Sequence, residues 1–248
     1  MRSHLAGWLR ELKPVLLALG LVLIVRTVAA EPYTVPSPSM VPTLLIGDEL
    51  IASKFAYGYG KYSSPIGLMP DFSGRLLGKM PERGDVIVFR LPRDPSINYV
   101  KRLIGLPGDR IQMQAGRLYI NGAVVPRQAV GPFADEVGGR IVSSVRYIET
   151  LPGGREHEIV EISDTDQLDN TPEFIVPAKH YFMMGDNRDD SLDSRVAAAD
   201  GGVGFVPEEN LVGRADLVLF SRDPAVAWSD VAHWTHAFRL ARLFERIN

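Results

Sequence analysis

Apolar and polar residues alternate with a period of two in many short segments of this chain. The segments are VIVFRL (86–91), NYVKRLIGL (98–106), RIQMQ and RLYING (110–122), HEIVEI (157–162), HYFMMG (180–185) and RADLVLF (214–220). Turn sequences such as PRDP, LPGD, NG and PGG lie between them. Such alternation is typical of β-strands, whose successive side chains point to opposite faces of a sheet. Many short strands and few helical windows predict a mainly β fold.

An uncharged apolar run near the N-terminus predicts a membrane-spanning helix. The run covers residues 14–25, and the apolar VAA of residues 28–30 follows. Counted through Arg26 and Thr27 to Ala30, the segment has about 17 residues, or ~25 Å of helix, slightly less than a hydrocarbon core of about 30 Å. Snorkelling by Lys13 and Arg26 can cover the difference. Because basic residues dominate before the run, the positive-inside rule places the N-terminus in the cytoplasm and the chain after Glu31 outside.

The N-terminal run has two other interpretations. Its basic start, short apolar centre and Val28-Ala29-Ala30 also match a cleavable signal peptide. A buried core helix of a soluble protein is the third interpretation, but it leaves the charge asymmetry across the run unexplained.

Composition excludes several classes of protein. The chain has 248 residues, of which 46% are hydrophobic, so it can form a substantial core. Its formal net charge is -3 and its basic residues are spread thinly, so we expect no nucleic acid partner. The absence of cysteine excludes disulfides, thiolate catalysis and cysteine zinc sites.

The chain divides into four predicted regions. Residues 1–30 form the cytoplasmic N-terminus and the transmembrane anchor. Residues 31–111 and 172–225 form the main β domain. Residues 112–171, which are more polar and richer in glycine, form a smaller inserted lobe. Residues 226–248 form a C-terminal amphipathic helix.

Helical spacing near the C-terminus is the basis for that last region. In FRLARLFERI, arginines lie on one helical face and apolar residues on the other. The arginines are Arg239, Arg242 and Arg246, and the apolar residues are Leu240, Phe244 and Ile247. We expect this helix to dock on the body of the protein, with the membrane interface as the alternative.

Ser39, in the stretch PSPSM of residues 36–40, is a candidate nucleophile. A serine hydroxyl is a poor nucleophile until a base takes its proton. Of the five histidines, His4 precedes the apolar run and two belong to the predicted C-terminal helix. His157 and His180 lie in predicted strands, where we expect a structural or surface role. The base is therefore expected to be another type of residue.

Lys101 is a candidate base, because burial can lower the pKa of a lysine until its amine is neutral near pH 7. In the predicted strand YVKRLI, Lys101 shares a face with Tyr99 and Leu103, while Arg102 points to the other face. On the local sequence alone, a lysine at a solvated strand edge remains an alternative.

The segment GDNRDDSLDSR, residues 185–195, is rich in aspartate but does not match a calcium loop. An EF-hand loop needs acidic or amide residues at positions one, three and five, and glycine at six. Counted from Asp186 the third position is Arg188, and counted from Asn187 the sixth is Leu192. We therefore predict no metal site, and either a solvated loop or a polar turn that orients a lysine and pairs with arginine.

Four motifs follow one another along the chain in an order that is typical of one family. They are PSPSMVPTLLIGDEL after the apolar run, RGDVIVF (83–89), YVKRLIGLPGD (99–109) and YFMMGDNRDDSLDSR (181–195). Together they closely resemble bacterial type I signal peptidases, from the anchor to about Ser221. The RGD motif is weak on its own and the PSPSM motif moderate, whereas the lysine and GDNR motifs are strong.

The resemblance implies two catalytic residues, an oxyanion-hole residue and a residue that orients the lysine. Ser39 matches the family nucleophile, and Lys101 matches its general base. Ser37 matches the serine whose hydroxyl joins the backbone N–H of Ser39 in the oxyanion hole. Ser191 matches the serine that hydrogen-bonds and orients the lysine.

Further positions match supporting residues or depart from the family pattern. Asp193 matches an aspartate that pairs with the arginines at Arg102 and Arg195. Asp190 replaces an asparagine that is common in the family, and Pro38 stands where glycine is usual. Because a carboxylate directed at the lysine would raise the lysine pKa, we expect Asp190 to face solvent.

The resemblance also implies an activity and a location. It implies a β-rich catalytic domain of antiparallel sheets, held by a retained single-pass anchor on the outer, periplasmic face of the cytoplasmic (inner) membrane. The activity is that of a serine endopeptidase that cleaves N-terminal signal peptides from exported preproteins after small residues, at Ala-x-Ala type sites. The implied partners are signal peptides and the lipid bilayer; we expect a monomer, and neither cofactor nor metal.

Two alternatives to this function remain. A specialised Ser-Lys maturation protease for a conjugation or pilus protein would keep the same two residues but refuse general preproteins. A non-catalytic domain that binds extended peptides would keep the fold, but it has no need of Ser39, Lys101 and Ser191 together.

Overall fold

The structure of the chain is a computed structural model. It describes residues 12–22, 26, 29–63, 74–137, 140–227, 229–230 and 234–248. The strands are β1 (Ala30–Thr34), β2 (Asp48–Ser53), β3 (Val86–Leu91), β4 (Asp94–Gly105), β5 (Arg110–Gln114), β6 (Arg117–Ile120), β7 (Ala123–Val124), β8 (Arg127–Val137), β9 (Arg140–Thr150), β10 (Glu156–Glu161), β11 (Phe174–Ile175), β12 (His180–Met184), β13 (Val206–Pro207), β14 (Leu211–Ser221) and β15 (Glu245–Arg246). These strands pair antiparallel, so the prediction of a mainly β fold is confirmed.

The largest sheet has the strand order β1-β2-β14-β3-β4-β12-β13, and β15 adds to β14. Strand β3 lies between β14 and β4, with apolar side chains buried on both of its faces. Val86 and Val88 join a core cluster on one face, while Ile87 and Phe89 join the cluster on the other. The central strands that carry the candidate site are therefore packed by a core cluster on each face.

Two smaller sheets, β11-β5-β6-β7 and β10-β9-β8, are formed by the chain between β4 and β12. Phe182 and Met184 of β12 pack in the same core cluster as residues of β5 and β6. The region from β5 to β11 therefore shares its core with the large sheet. The predicted lobe of residues 112–171 begins inside β5 and ends before β11, although these two strands pair with each other.

The predicted strand segments are all strands in the structure, but the long hairpin of β8 and β9 was not predicted. Strand β8 contains Gly131 and Pro132, and it lacks a strict alternation of apolar and polar residues. It nevertheless pairs with β9 from Arg127 to Val137. The turn predicted at Asn121-Gly122 joins β6 to β7, and both residues have the positive φ that this tight turn requires.

Residues 12–22 are helical and form α1. Among the described residues, no helix combines the length and the apolar content that crossing a membrane requires. The predicted anchor over residues 1–30 lies partly outside the described residues.

The prediction of one amphipathic helix near the C-terminus is wrong. Helix α2 covers only Trp234–Ala237; a 3-10 turn at Leu240–Arg242 and strand β15 follow it. Ile247 packs against the core of the large sheet, whereas Phe244 is exposed. A short isolated helix is only marginally stable, and here hydrogen bonds to β14 replace the helical ones.

Candidate active site

Ser39 lies in a 3-10 turn, Pro38–Met40, a few residues after β1. The fixed φ of proline suits the first position of such a turn. Two contacts stabilise the turn. Val41 donates its backbone N–H to Pro38 O at 3.0 Å, and the Met40 side chain is buried in the core. This support fixes the position of the Ser39 hydroxyl at the surface of the core.

Lys101 lies in β4 opposite Ile87 of β3, and its Nζ donates a hydrogen bond to Ser39 Oγ. Only 3% of the lysine is exposed, and its Nζ lies 5.8 Å from the centre of the Tyr99 ring. The structure thus brings together two residues that are 62 positions apart in the chain. The alternative of a solvated edge lysine does not apply.

Burial lowers the pKa of Lys101 to about 8. The carboxylates of Asp193 and Asp186 oppose this shift, because a nearby negative charge favours the ammonium form. Arg195 acts in the same direction as burial. Near neutral pH a substantial minority of the molecules therefore carry a neutral amine that can accept a proton from Ser39.

Ser37 lies beside the pair, with its Oγ 3.3 Å from Ser39 Oγ. It is more exposed than Ser39, since it stands at the rim of the turn. The Ser37 hydroxyl is therefore close enough to donate a hydrogen bond to a substrate group that is attached to Ser39 Oγ.

Ser191 lies against the turn that carries Ser39 but does not make the predicted hydrogen bond to Lys101. Its Oγ is buried and has no hydrogen-bond partner among the described residues. A Cβ added at Gly185 would lie 2.2 Å from Ser191 Oγ and 2.4 Å from Ser39 O, so these three residues are tightly packed. The predicted role of Ser191 in orienting the lysine therefore has no hydrogen bond behind it in this structure.

The predicted partners of Asp193 are half correct. Asp193 accepts hydrogen bonds from Arg195 Nε and Nη2, both at 2.9 Å, and from the Gly185 backbone N–H at 3.0 Å. Burial opposes ionisation of Asp193, but the ion pair with Arg195 outweighs it and lowers the Asp193 pKa. The Asp193 carboxylate therefore remains charged within the GDNR segment.

Arg102 does not pair with Asp193, so this part of the prediction is wrong. Its Nε and Nη2 donate to the two carboxylate oxygens of Asp186, at 2.8 and 2.7 Å. Its Nη1 donates to Gly84 O at 2.7 Å and to Asn248 O at 2.9 Å. Because Arg102 points to the face opposite Lys101, it meets the carboxylate on that face, which is Asp186.

Sequence reasoning did not assign roles to three residues that connect these groups. Thr43, four residues after Ser39, donates its hydroxyl to Asp186 Oδ2 at 2.5 Å. Asn187 donates its backbone N–H to Ser39 O at 3.2 Å and its side-chain amide to Pro38 O at 3.3 Å. The signal was present, because Asp186 and Asn187 belong to the GDNR motif, but the sequence does not say which atoms they contact.

Asp190 and the histidines lie where they were expected. Asp190 is exposed at the rim of the site, although its charge still acts to raise the pKa of Lys101. His157 is buried with its Nε2 3.4 Å from Glu149 Oε2, and burial holds its pKa well below the ordinary value. His180 Nδ1 lies 2.9 Å from Ala178 O. Neither histidine lines the cleft that contains Ser39.

A cleft of about 370 Å³ leads to Ser39 and Lys101. One wall comes from the chain that runs from Tyr33 to Ser39, and the other from residues 97–101 of β4. Among the described residues, β1 pairs only with β2, and residues 98–101 pair only with β3. Two unpaired strand edges therefore face the cleft, and an extended peptide could bond to either of them.

Comparison with known proteins places the chain in a family. The family described as signal peptidase, peptidase S26, matches residues 8–220. Signal peptidase I of Rickettsia typhi is 40% identical over 245 residues, which cover 92% of this chain and 89% of that protein. Signal peptidase I of Rickettsia massiliae is 39% identical, with coverage of 92% and 88%.

A crystal structure of a signal peptidase I from Enterococcus faecalis is 26% identical and covers 55% of this chain and 97% of its own, with a TM-score of 0.31. A score this low does not by itself establish a shared fold. The family match and the curated relatives extend over most of the sequence and include the positions of all four motifs. On these grounds, the chain belongs to the signal peptidase family, peptidase S26.

Proposed function

We propose that this protein is a membrane-anchored serine endopeptidase that removes N-terminal signal peptides from exported preproteins, with Ser39 as nucleophile and Lys101 as general base. One observation carries the proposal: a buried lysine, with a pKa lowered to about 8, donates a hydrogen bond to a serine hydroxyl at the end of a peptide-sized cleft. The names of the curated relatives support the choice of substrate.

The proposed chemistry is acyl transfer. Neutral Lys101 takes the proton of the Ser39 hydroxyl while Ser39 Oγ attacks the carbonyl carbon of the scissile bond. The Ser37 hydroxyl and the Ser39 backbone N–H hold the resulting oxyanion. The Lys101 ammonium then protonates the leaving amine, and the acyl-enzyme remains on Ser39. Lys101, neutral again, takes a proton from the water that attacks the acyl-enzyme and returns it to Ser39 Oγ as the signal peptide leaves.

We place the signal-peptide side of the substrate in the cleft as an extended strand. The open edges of β1 and of residues 98–101 offer backbone hydrogen bonds to such a strand. Alternate side chains of the substrate then point toward the cleft floor, where Leu50, Val88 and Val100 lie. A closely packed apolar floor favours small residues, which supports cleavage at Ala-x-Ala type sites.

The proposal includes a single-pass anchor in the cytoplasmic membrane, with the catalytic domain on its outer face. The apolar run before residue 30 and the basic residues that precede it support this arrangement. Ser39 follows Ala30 closely in the chain, so an anchored enzyme holds its nucleophile near the bilayer surface, where the cut site of an inserted preprotein lies.

The decisive test is cleavage of a preprotein with an Ala-x-Ala site by the detergent-solubilised enzyme. We expect Ser39→Ala and Lys101→Met to lower kcat/KM by ~10³-fold or more, because each removes a group of the reacting pair. His180→Ala, a variant outside the cleft, should cleave like wild type.

Three results would contradict the proposal. If Lys101→Met remains active, Lys101 is not the base. If His180→Ala is inactive while Lys101→Met cuts, a histidine mechanism applies. If wild type does not cut general preproteins at all, the narrower maturation protease replaces the signal peptidase.

A further inference from the structure

A second cleft, of about 230 Å³, is lined by residues of the GDNR segment and shares Asp190 with the first cleft. Its walls carry the apolar side chains of Phe133, Val142, Val160 and Ile162. Ser144, Asn187, Asp189 and Asp190 complete its described lining. The mechanism described above does not use this cleft.

The second cleft begins next to the turn that carries Ser39. Asn187, which lines it, donates hydrogen bonds to Pro38 O and Ser39 O through its side chain and backbone. Asp190 lines both this cleft and the first one, so the two clefts meet at its side chain. A chain that occupies the first cleft and continues past Ser39 therefore reaches the second.

A substrate cut at Ser39 has residues on both sides of the scissile bond. Under the proposed function, on which this inference rests, the first cleft holds the residues before the cut. We propose that the second cleft binds the first residues after the cut, and that Asp190 makes this site favour basic over acidic side chains. The occupant is thus the start of the mature part of the preprotein.

The charges around the second cleft support this selectivity. Asp189 and Asp190 are the charged residues of its described lining, and both are acidic. Asp189 Oδ2 accepts the backbone N–H groups of Ile162 and Ser163, at 2.6 and 3.0 Å, so this carboxylate is fixed. Asp190 is exposed and directed at the junction.

The nearest arginines of the GDNR segment do not neutralise these carboxylates. Arg188 is buried and donates to both oxygens of Glu149. Arg195 is buried and paired with Asp193. Neither guanidinium is therefore committed to Asp190, whose charge acts on Lys101 and is open to a substrate side chain.

The test uses three preproteins that are identical up to the cut and carry Lys, Ala or Glu at the second position after it. For wild type we expect kcat/KM to be about three- to fivefold higher for Lys than for Glu, with Ala between, as for a half-exposed charge pair. Because screening weakens such pairs, the ratio should shrink in 0.5 M salt.

Asp190→Asn should reduce the Lys-to-Glu ratio to near one. The ratio is the informative quantity, because the charge of Asp190 also acts to raise the pKa of Lys101, so its loss can change the rate on every substrate. Asp200→Asn, an exposed aspartate outside both clefts, is the matched control and should keep the wild-type ratio.

Ile162→Lys provides a second, independent variant. Ile162 is 49% exposed, so a lysine can replace it without entering the core. A positive charge in the wall of the second cleft should lower the Lys-to-Glu ratio of kcat/KM, because it attracts Glu and repels Lys.

The results separate this inference from the proposed function. Equal cleavage of the three substrates by wild type, or an unchanged ratio in both Asp190→Asn and Ile162→Lys, overturns the second-cleft proposal while the Ser39-dependent activity stands. Absence of cleavage of all three substrates, or cleavage that persists in Ser39→Ala, overturns the proposed function and this inference together.

Discussion

The pKa of Lys101 depends mainly on burial. An exposed lysine titrates at about 10.4 and is almost fully charged at neutral pH. In this fold only 3% of Lys101 is exposed, and its pKa falls to about 8. The nearby carboxylates limit the shift, so the amine is a base of useful strength that is still partly protonated at pH 7.

The proposed mechanism therefore predicts how the rate depends on pH. Below pH 8 the ammonium form cannot accept the Ser39 proton, so kcat/KM should rise about tenfold per pH unit well below the pKa. Above about pH 9 the amine is neutral and kcat/KM should level off. A stopped assay from pH 6 to 10.5 measures this profile. A rate that still rises steeply above pH 10 would show that Lys101 keeps an ordinary pKa.

The two buried arginine pairs predict a pattern of energetic coupling. Arg102 contacts Asp186, whereas Asp193 contacts Arg195. In double-mutant cycles on unfolding, Arg102→Met and Asp186→Asn should couple by about 2 kcal/mol, because either change alone leaves a buried charge unpaired.

The control is a second cycle on Arg102 and Asp193, the pair that the family resemblance predicted. Arg102→Met and Asp193→Asn should couple by at least ~1 kcal/mol less than the first pair, since they share no hydrogen bond in the structure. Equal coupling in the two cycles would contradict the observed partners. Chemical denaturation of the detergent-solubilised protein supplies the free energies.

At the level of secondary-structure elements, the C-terminal segment supports the loop that follows the nucleophile. Arg242 Nη2 donates to Asp48 Oδ2 at 2.7 Å and to Thr43 O at 2.9 Å. Arg239 Nη1 donates to Ile46 O at 2.9 Å. The residues from 43 to 48 are thus held from one side by these arginines and from the other by the Arg102–Asp186 pair.

Loss of this support should affect both stability and rate. Arg242→Met leaves the buried Asp48 carboxylate without its cation, so we expect the free energy of unfolding to fall by about 1–3 kcal/mol. The kcat should fall as well, with a smaller change in KM, because the turn of Ser39 becomes less ordered.

Arg246→Met is the matched control for this element. Arg246 lies in β15 but its side chain is exposed, so its loss should change the free energy of unfolding by less than about 0.5 kcal/mol. Equal effects of the two substitutions would mean that the segment contributes through its backbone alone.

For the whole molecule, the proposed location depends on the N-terminal region. The described residues contain no helix suited to spanning a bilayer, so the anchor is a proposal that is based on the apolar run and its flanking charges. The three core clusters and the side chains packed against them come from residues from Tyr33 onward.

The anchor proposal predicts how the protein fractionates. The full chain should stay in the membrane pellet after a high-pH wash, and its intact mass should include the residues before Ala30. A version that starts at residue 29 should be released more readily. Recovery of a mature protein that begins at Glu31 would instead support the cleavable signal peptide.

Local sequence was enough to predict most strands, and the resemblance to a family added Ser39 and Lys101 as the proposed reacting pair. The alternation in VIVFRL and YVKRLI follows from the two-residue period of a strand, which is a local property of the chain. The order of the four motifs identified the family and with it Ser39 and Lys101. The hairpin of β8 and β9 was missed because Gly131 and Pro132 interrupt its pattern, and its strands form through pairing with each other.

Tertiary structure alone decided the partners of the supporting residues. Alternation places Arg102 opposite Lys101, but only the folded chain brings Asp186, and not Asp193, within hydrogen-bond distance of it. The C-terminal residues have helical spacing, yet contacts with β14 and Asp48 give them another conformation. A local pattern determines which face a side chain occupies, whereas its partner depends on chain segments far away in sequence, which only folding brings together.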